Sequence, residues 1–536
     1  MDSLNLRAIF VISGIFAVCF IWGCEESALG RASKELSAKP DSEPTIGSVA
    51  NVLSVGPIPV GGYGLVGNLK GTGSTSCPRP VGAYLMRYIL RQMSGHEVDV
   101  VKLINSPDTA VVWVEGTIPA LAYKNQQFDV KVTALEGTQT TSLRGGWLYS
   151  AELRIKERSA IATKTLAIAQ GPVFINTIDK DGTDSKAGYI LNGGIVLDEY
   201  KINVILHKAD FRYAGQIRNR LNERFVDSEV RAVSPSRIEL FVPPGYKEQR
   251  QRFVSIVKAI YLDQTPETTY QRILSFVRKL AVSDDKEASE IALEAIGERS
   301  VGKLATLLNS SGEEVRFRAA RCMLNLGSYK GLEALVETAI RKDSAYRVEA
   351  IEAITTGARR NDAIYLCRQL LRDPDYNIRM AAYEQLLKLD DTAVTRRYIG
   401  QNFYLDQVSQ TEYKSIFVSR SGQPRIVLFG APIYCDDGIF VKSADGNIII
   451  SAPAGEKYVS LMRRHPTRGT TLGPLKSSFS AGDIIQVLCE EPAIRGKQGL
   501  AGLGVSYEEM TSLLKQMCDT GVIRAEFRAG PMPKFD

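Results

Sequence analysis

The chain has 536 residues, 44% hydrophobic and 24% charged, with 66 Lys and Arg against 60 Asp and Glu for a formal net charge of +6. That length exceeds what one hydrophobic core can organise and predicts three or more domains. A small net charge of mixed origin leaves no footprint for nucleic acid, and no RNA- or DNA-binding signature accompanies it.

Arg7 precedes an apolar run from Ala8 to Trp22, long enough for the core of an export signal and short for a membrane span. Ile21-Trp22-Gly23-Cys24 then has the form of a lipoprotein cleavage box with Cys24 as the lipid acceptor. Trp22 is larger than the small residue usual at its position, so ordinary cleavage nearby stands as the competing reading. Either takes the mature protein out of the cytoplasm. Residues 25–45, rich in Ser, Glu, Lys and Pro, read as a solvated tether.

The glycine-rich run from Gly61 to Ser74 contains a literal G-x-G-x-x-G at Gly62, Gly64 and Gly67. A dinucleotide fingerprint needs those glycines to close a strand and open a helix. Gly71-Thr72-Gly73-Ser74 follow instead, and Pro78 and Pro80 argue against a helix there, so the nucleotide reading fails on context. Beyond it, Val111–Val114, Phe128–Val132, Leu148–Leu153, Lys201–Leu206 and Arg237–Val242 are short alternating or β-branched runs bounded by turn residues. Apolar spacing predicts helices over Val81–Met93 and Tyr213–Phe225, the second burying Ile217 and Leu221.

From Asp284 to about Asp391 the pattern turns helical and repeats. Val315–Ala319, Tyr346–Ala350 and Ile378–Ala382 recur at intervals of roughly 31 to 32 residues, each after an acidic turn, which predicts a HEAT-like array of helical hairpins with a protein-binding face. Arg316, Arg347 and Arg379 hold equivalent places and are expected to pair with the acidic turns. After Asp391 the strands return at Lys414–Val418, Arg425–Phe429, Gly438–Val441 and Asn447–Ser451, a spacing that suits a small barrel or sandwich. Ser506-Tyr507-Glu508-Glu509 is a capping box for a last helix carrying Met510, Leu513, Leu514 and Met517 on one face and stopping at Gly521.

The residues offer no catalytic site, no cofactor site and no metal site. His96, His207 and His465 are far apart, and neither H-E-x-x-H nor G-x-S-x-G occurs. Asp179-Lys180-Asp181-Gly182-Thr183-Asp184 imitates the opening of a calcium loop, but its twelfth position is Ile190, which cannot coordinate, so a solvated turn is expected. Arg144 is expected to pair with a carboxylate in a tight turn. Of the eight cysteines, Cys322 and Cys367 fall on apolar helix positions, and Cys435 with Cys489 is the disulfide to test first.

Several of these motifs, in order, resemble the bacterial flagellar P-ring protein family. They are Gly62-Tyr63-Gly64-Leu65, the Asn68 to Gly71-Thr72-Gly73 turn, Val114–Pro119, Gln127–Val132, Ser142-Leu143-Arg144-Gly145-Gly146, Gln170-Gly171-Pro172 and Asn192–Val196. Arg220–Phe225 followed by Val242–Tyr246 extends the resemblance, which covers roughly residues 46–257 and resumes near 501. Joined to the repeats and strands read above, which depart from the family's pattern, it predicts an α+β fold: a β-rich P-ring-like body interrupted by an α-helical HEAT-like repeat array and a small β domain. The expected divisions are a signal peptide at 1–24, the tether at 25–45, the body at 46–257, a connecting helix at 258–283, the repeats at 284–395, a β-rich domain at 396–500, and a C-terminal helix and strand at 501–536. The resemblance further implies a non-enzymatic subunit that self-associates into a periplasmic ring, with rod, L-ring and peptidoglycan as neighbours, acting as a bushing in the basal body. The alternative is a non-flagellar, membrane-tethered envelope scaffold whose repeats bind a protein partner.

Overall fold

A strand whose alternate side chains are apolar needs cover on one face, and six such strands in this chain find it by rolling up. The computed structural model describes residues 43–92, 99–156, 164–178, 185–400, 402–464, 470–492 and 502–535. The export segment with Cys24, nearly all of the tether, His96, His465 and Asp179–Asp184 lie outside the described residues. Helix α1 (Ile46–Val49) and strand β1 (Ala50–Leu53) lead into β2 (Ile58–Gly67). After α2 (Arg79–Gln92) and α3 (Val100–Ile104) come β3 (Ala110–Ile118), β4 (Gln127–Ala134), β5 (Trp147–Ile155), β6 (Ala167–Pro172) and β7 (Ala187–Val196). These close as a barrel in the order β2-β3-β4-β7-β6-β5, filled by Val60, Val112, Val130, Leu153, Ala169 and Ile190 among others.

The G-x-G-x-x-G lies within β2, which pairs antiparallel with β3 on one side and β5 on the other. A Cβ at Gly62 would overlap the Glu152 carbonyl oxygen of β5. One at Gly64 would stand 2.8 Å from Leu148 Cδ1 and 3.0 Å from Val114 Cγ2. The glycines therefore leave room for a narrow barrel to close. Helix α2 starts two residues earlier than expected and carries Pro80 in its first turn, where a missing N–H costs nothing.

Strand β8 (Ile202–Leu206), helix α4 (Phe211–Arg224) and strands β9 (Val230–Ser234) and β10 (Arg237–Leu240) follow. They complete an antiparallel sheet ordered β1-β8-β10-β9, on which α4 buries Ile217 and Leu221 and α5 (Arg250–Ala259) buries Phe253 and Ile256. Of the span 258–283 expected as a connecting helix, α6 (Pro266–Val282) takes the larger part and begins at a proline that fits position N1, while α5 ends at Ala259.

The next stretch is helical: α7 (Lys286–Ile296), α8 (Val301–Leu304), α9 (Glu313–Asn325), α10 (Leu332–Ile340), α11 (Arg347–Gly357), α12 (Arg360–Leu370) and α13 (Tyr376–Lys388). Arg316 and Arg379 depart from the expected carboxylate pairing. Arg316 donates to the carbonyls of Ser310 and Ser311, and Arg379 to those of Asp373 and Pro374 at 2.8 Å each. Only Arg347 meets an acid, Asp373 of the following turn, while its Nε caps the Ala339 carbonyl. One guanidinium fork satisfies two orphan carbonyls where the chain turns between helices, which a single carboxylate contact could not do.

After the helices lie β11 (Val394–Ile399), β12 (Phe403–Val408), β13 (Ser415–Val418), β14 (Arg425–Phe429), β15 (Ile439–Lys442), β16 (Ile448–Ala452), β17 (Val459–Arg464), β18 (Thr471–Ser477), α14 (Ala481–Cys489), α15 (Tyr507–Asp519) and β19 (Glu526–Ala529). The expected small barrel or sandwich is instead two separate sheets: a mixed one ordered β11-β12-β14-β13-β19 and an antiparallel meander β15-β16-β17-β18. The mixed sheet is covered on both faces. Phe417, Val427 and Phe429 pack with the helices, while Ile416, Ile426 and Leu428 pack with α14 and α15. This is why β13 and β14 read as continuous apolar runs. Cys435 and Cys489 are both buried free thiols, as are Cys322 and Cys367.

Candidate functional site

The motif residues converge where β2 ends, β5 begins and β6 ends. Thr72 Oγ1 donates to the Leu69 and Ser142 carbonyls at 2.8 Å each, and Thr141 N–H donates to the Thr72 carbonyl at 2.9 Å. Gly73 N–H meets the Pro107 carbonyl at 2.8 Å, and Asn68 Nδ2 reaches the Gly145 carbonyl at 3.3 Å. Leu143 is buried inside the rim, and Gly146 abuts Val66 and Leu69, leaving no space for a side chain. Gly171 and Pro172 pair with Leu148 and Trp147, and the Gly146 carbonyl accepts from Val173 N–H at 2.9 Å. Three turns far apart in sequence are thus knotted into one rim by main-chain hydrogen bonds.

The remaining motif positions sit elsewhere. Gly62 and Gly64 face the barrel interior. Tyr63 and Leu65 point outward beneath α2, where Tyr63 makes edge contacts with Tyr84 and Trp113 at 6.3 and 5.0 Å between ring centres. The Gln170 side chain is exposed on β6.

From the rim, Arg144 Nε donates at 2.7 Å to Oε1 of Glu508 in the first turn of α15, a residue 5% exposed. Gly145 follows in the left-handed region (φ 69°), which lets the turn reverse directly behind the arginine. Ile175 N–H approaches Glu508 Oε2 at 3.4 Å. Burial pushes the Glu508 carboxyl up to about 7 despite Arg144, whose own side chain is half exposed and so attracts through water. A second link runs from Asp129 of β4, which accepts the N–H groups of Gly422 (2.8 and 3.0 Å) and Asn192 (2.6 Å). Tyr507 packs beside Phe174, and Phe535 stacks on Tyr189 with ring centres 5.9 Å apart in each pair.

A third junction joins the α5 segment to the helical array. Glu290 and Glu294 of α7 are fully buried. Glu290 accepts from Arg321 (Nε and Nη2, 2.7 Å each), Arg252 (2.7 Å) and Arg318 (3.0 Å). Glu294 accepts from Arg252 Nε at 3.0 Å and Asn325 Nδ2 at 3.3 Å. Burial pushes the Glu290 carboxyl up, but the Arg252 and Arg321 charges outweigh it and hold the group below its ordinary range. Sequence reading had no signal for these contacts, because every partner is distant along the chain. Among the described residues no group of three His, Cys, Asp or Glu could hold a metal ion, and no helix is long and apolar enough to cross a membrane.

The Glu508 geometry predicts a pH dependence. A carboxyl whose proton is held more tightly in the folded state destabilises the fold once it must ionise, so stability falls between about pH 4.5 and 7, by about 3 kcal/mol in all. Urea midpoints at pH 5.5 and 8 are expected to differ less in Glu508→Gln than in the parent. An unchanged difference would refute the assignment.

A closed barrel with its motif rim docked on a distant helix defines a β-barrel-centred α+β structural module, in which the motif residues hold main chain. Residues 45–274 match the family model described as flagellar P-ring protein, and through that region the chain is similar to the flagellar P-ring proteins. It is 29% identical over 214 residues to a flagellar P-ring protein of Thermotoga maritima, covering 37% of this chain and 61% of that one. A Bradyrhizobium flagellar P-ring protein is 27% identical over 247 residues (43% and 63%), and one from Aquifex aeolicus 31% over 199 residues (34% and 52%). The chain thus spans about three fifths of the first two relatives' length. The family match ends at residue 274, midway through α6, so the helices beyond it, both C-terminal sheets and α15 lie outside that match.

Proposed function

We propose that this chain is a structural subunit of a flagellar P ring, assembling with copies of itself in the periplasm as a bushing around the rotating rod. The carrying observation is the family match over 45–274, which takes in the whole barrel and its motif rim. A bushing transmits load without making or breaking bonds. It calls for a stiff body, and a closed barrel without free edges, pinned at its rim to Glu508, supplies one. By the same kinship its neighbours are the rod, the L ring and the peptidoglycan layer; Cys24 is a candidate lipid anchor on its cleavage-box sequence alone, a feature unusual for that kinship. Deleting the gene and imaging purified basal bodies tests this: the mutant should lack the ring and fail to swim. A motile mutant with intact rings would overturn it.

The helices from α7 to α13 favour a second reading, because they lie beyond the family match. In it the chain is a membrane-tethered, non-flagellar envelope scaffold whose HEAT-like repeats hold a protein partner. That motile mutant is the result this reading expects.

A further inference from the structure

A cavity of about 520 Å³ opens between α13 and the β19 edge of the mixed sheet. Tyr376, Glu384, Phe417, Arg425 and Arg528 line it. Its cations outnumber its acids. The Arg528 guanidinium lies 4.2 Å from the centre of the Tyr376 ring, and that of Arg379 lies 5.8 Å from the same ring. Arg425 pairs with Glu384 at 2.8 Å and Arg528 with Glu526 at 2.6 Å, while Arg379, beside the cavity, donates to the Asp373 and Pro374 carbonyls. The buried Nε atoms of Arg379 and Arg528 have no hydrogen-bond partner among the described residues. Of the residues that line the cavity, three carry a guanidinium group, Arg420, Arg425 and Arg528, and one a carboxylate, Glu384.

The cavity also lies at an open sheet edge. β19 pairs in parallel with β13 alone, and among the described residues no strand pairs with its other side. Glu526 and Gly530 send their N–H groups to Lys414 and Val418 of the β13 side, so by strand alternation Phe527 and Ala529 present theirs outward. A strand added there would put alternate side chains on the α13 face, about 5 Å from Arg528.

We propose that this edge and pocket dock an extended peptide strand carrying a carboxylate, its main chain pairing with β19 and its Asp or Glu entering the arginine pocket. Charge complementarity selects the acid, and the edge selects an extended chain over a free anion.

Titrating the purified full-length protein with acetyl-Thr-Val-Glu-Val-Thr-amide tests it, beside the same peptide with Gln for Glu, the same peptide with Pro for the second Val, and inorganic phosphate. The Glu peptide should bind at least about tenfold more tightly than the Gln and Pro peptides, since each loses either the charged fork or a ladder hydrogen bond. Arg528→Gln should weaken the Glu peptide to the level of the Gln peptide, with an unchanged thermal midpoint, and Arg528→Lys should recover part of the loss. Equal binding of the Glu and Gln peptides by the parent protein overturns the proposal. So does phosphate or the Pro peptide matching the Glu peptide, which would make the pocket a simple anion site.

Discussion

Replacing Glu290 with alanine should lower the free energy of unfolding by about 3–5 kcal/mol, because it strands Arg252, Arg318 and Arg321 around a buried gap. The carboxylate oxygens of Glu290 serve four guanidinium donors from three arginines on two other helices, so no single neighbour can take over its role. Glu333→Ala, at an exposed position of α10, should stay within about 0.5 kcal/mol. The Glu290 contribution also has a pH signature. A carboxyl held below its ordinary range stabilises above about pH 4.5 and loses that effect as pH falls through its folded value, the opposite sense to Glu508. Urea unfolding of parent, Glu290→Ala and Glu333→Ala at neutral pH decides it. Equal midpoints for all three would show that the arginines find other partners.

Gly62→Val should be similarly severe, at about 3 kcal/mol or more, since the new side chain meets the Glu152 main chain and not a movable side chain. To make room, β2 must separate from β5, and the barrel opens an edge. Gly64→Val should cost less, because Leu148 Cδ1 at 2.8 Å and Val114 Cγ2 at 3.0 Å are side-chain atoms that can shift. Gly56→Ala, with open space around it, should be near neutral. Thermal denaturation of the three variants would rank them in that order, and a Gly62→Val midpoint equal to that of Gly56→Ala would defeat the closure argument.

Most of the elements were legible locally. The alternation in β4 and β5 and the Ile217 and Leu221 stripe of α4 each declare a buried face within a dozen residues, and the Ser506 and Glu509 capping box forms as its spacing predicts. What joins the elements was not. The closing strand of the barrel is a glycine run whose side chains carry no periodic signal, so its glycines offered first a dinucleotide fingerprint that only their surroundings excluded. Glu508 has an evident place in the first turn of a helix, but nothing near it in sequence points to Arg144. Glu290 and Glu294 likewise look like ordinary solvent-facing positions until Arg252, Arg318 and Arg321 are brought round them. Arg316, Arg347 and Arg379 were recognised as equivalent, yet the carbonyls they satisfy exist as acceptors only once the turns have formed.

The pairing of β13 with β19 has a consequence for the order in which the molecule is made. Every barrel strand lies between Ile58 and Val196, so that unit can close while later residues are still being synthesised or threaded across a membrane. The mixed sheet has no such freedom, because Ser415–Val418 must wait for Glu526–Ala529, and on the barrel rim Arg144 must wait for Glu508. An apolar strand held open for that interval is a target for holdase chaperones, and a chain halted before the last helix would be left with one finished half and one sticky one.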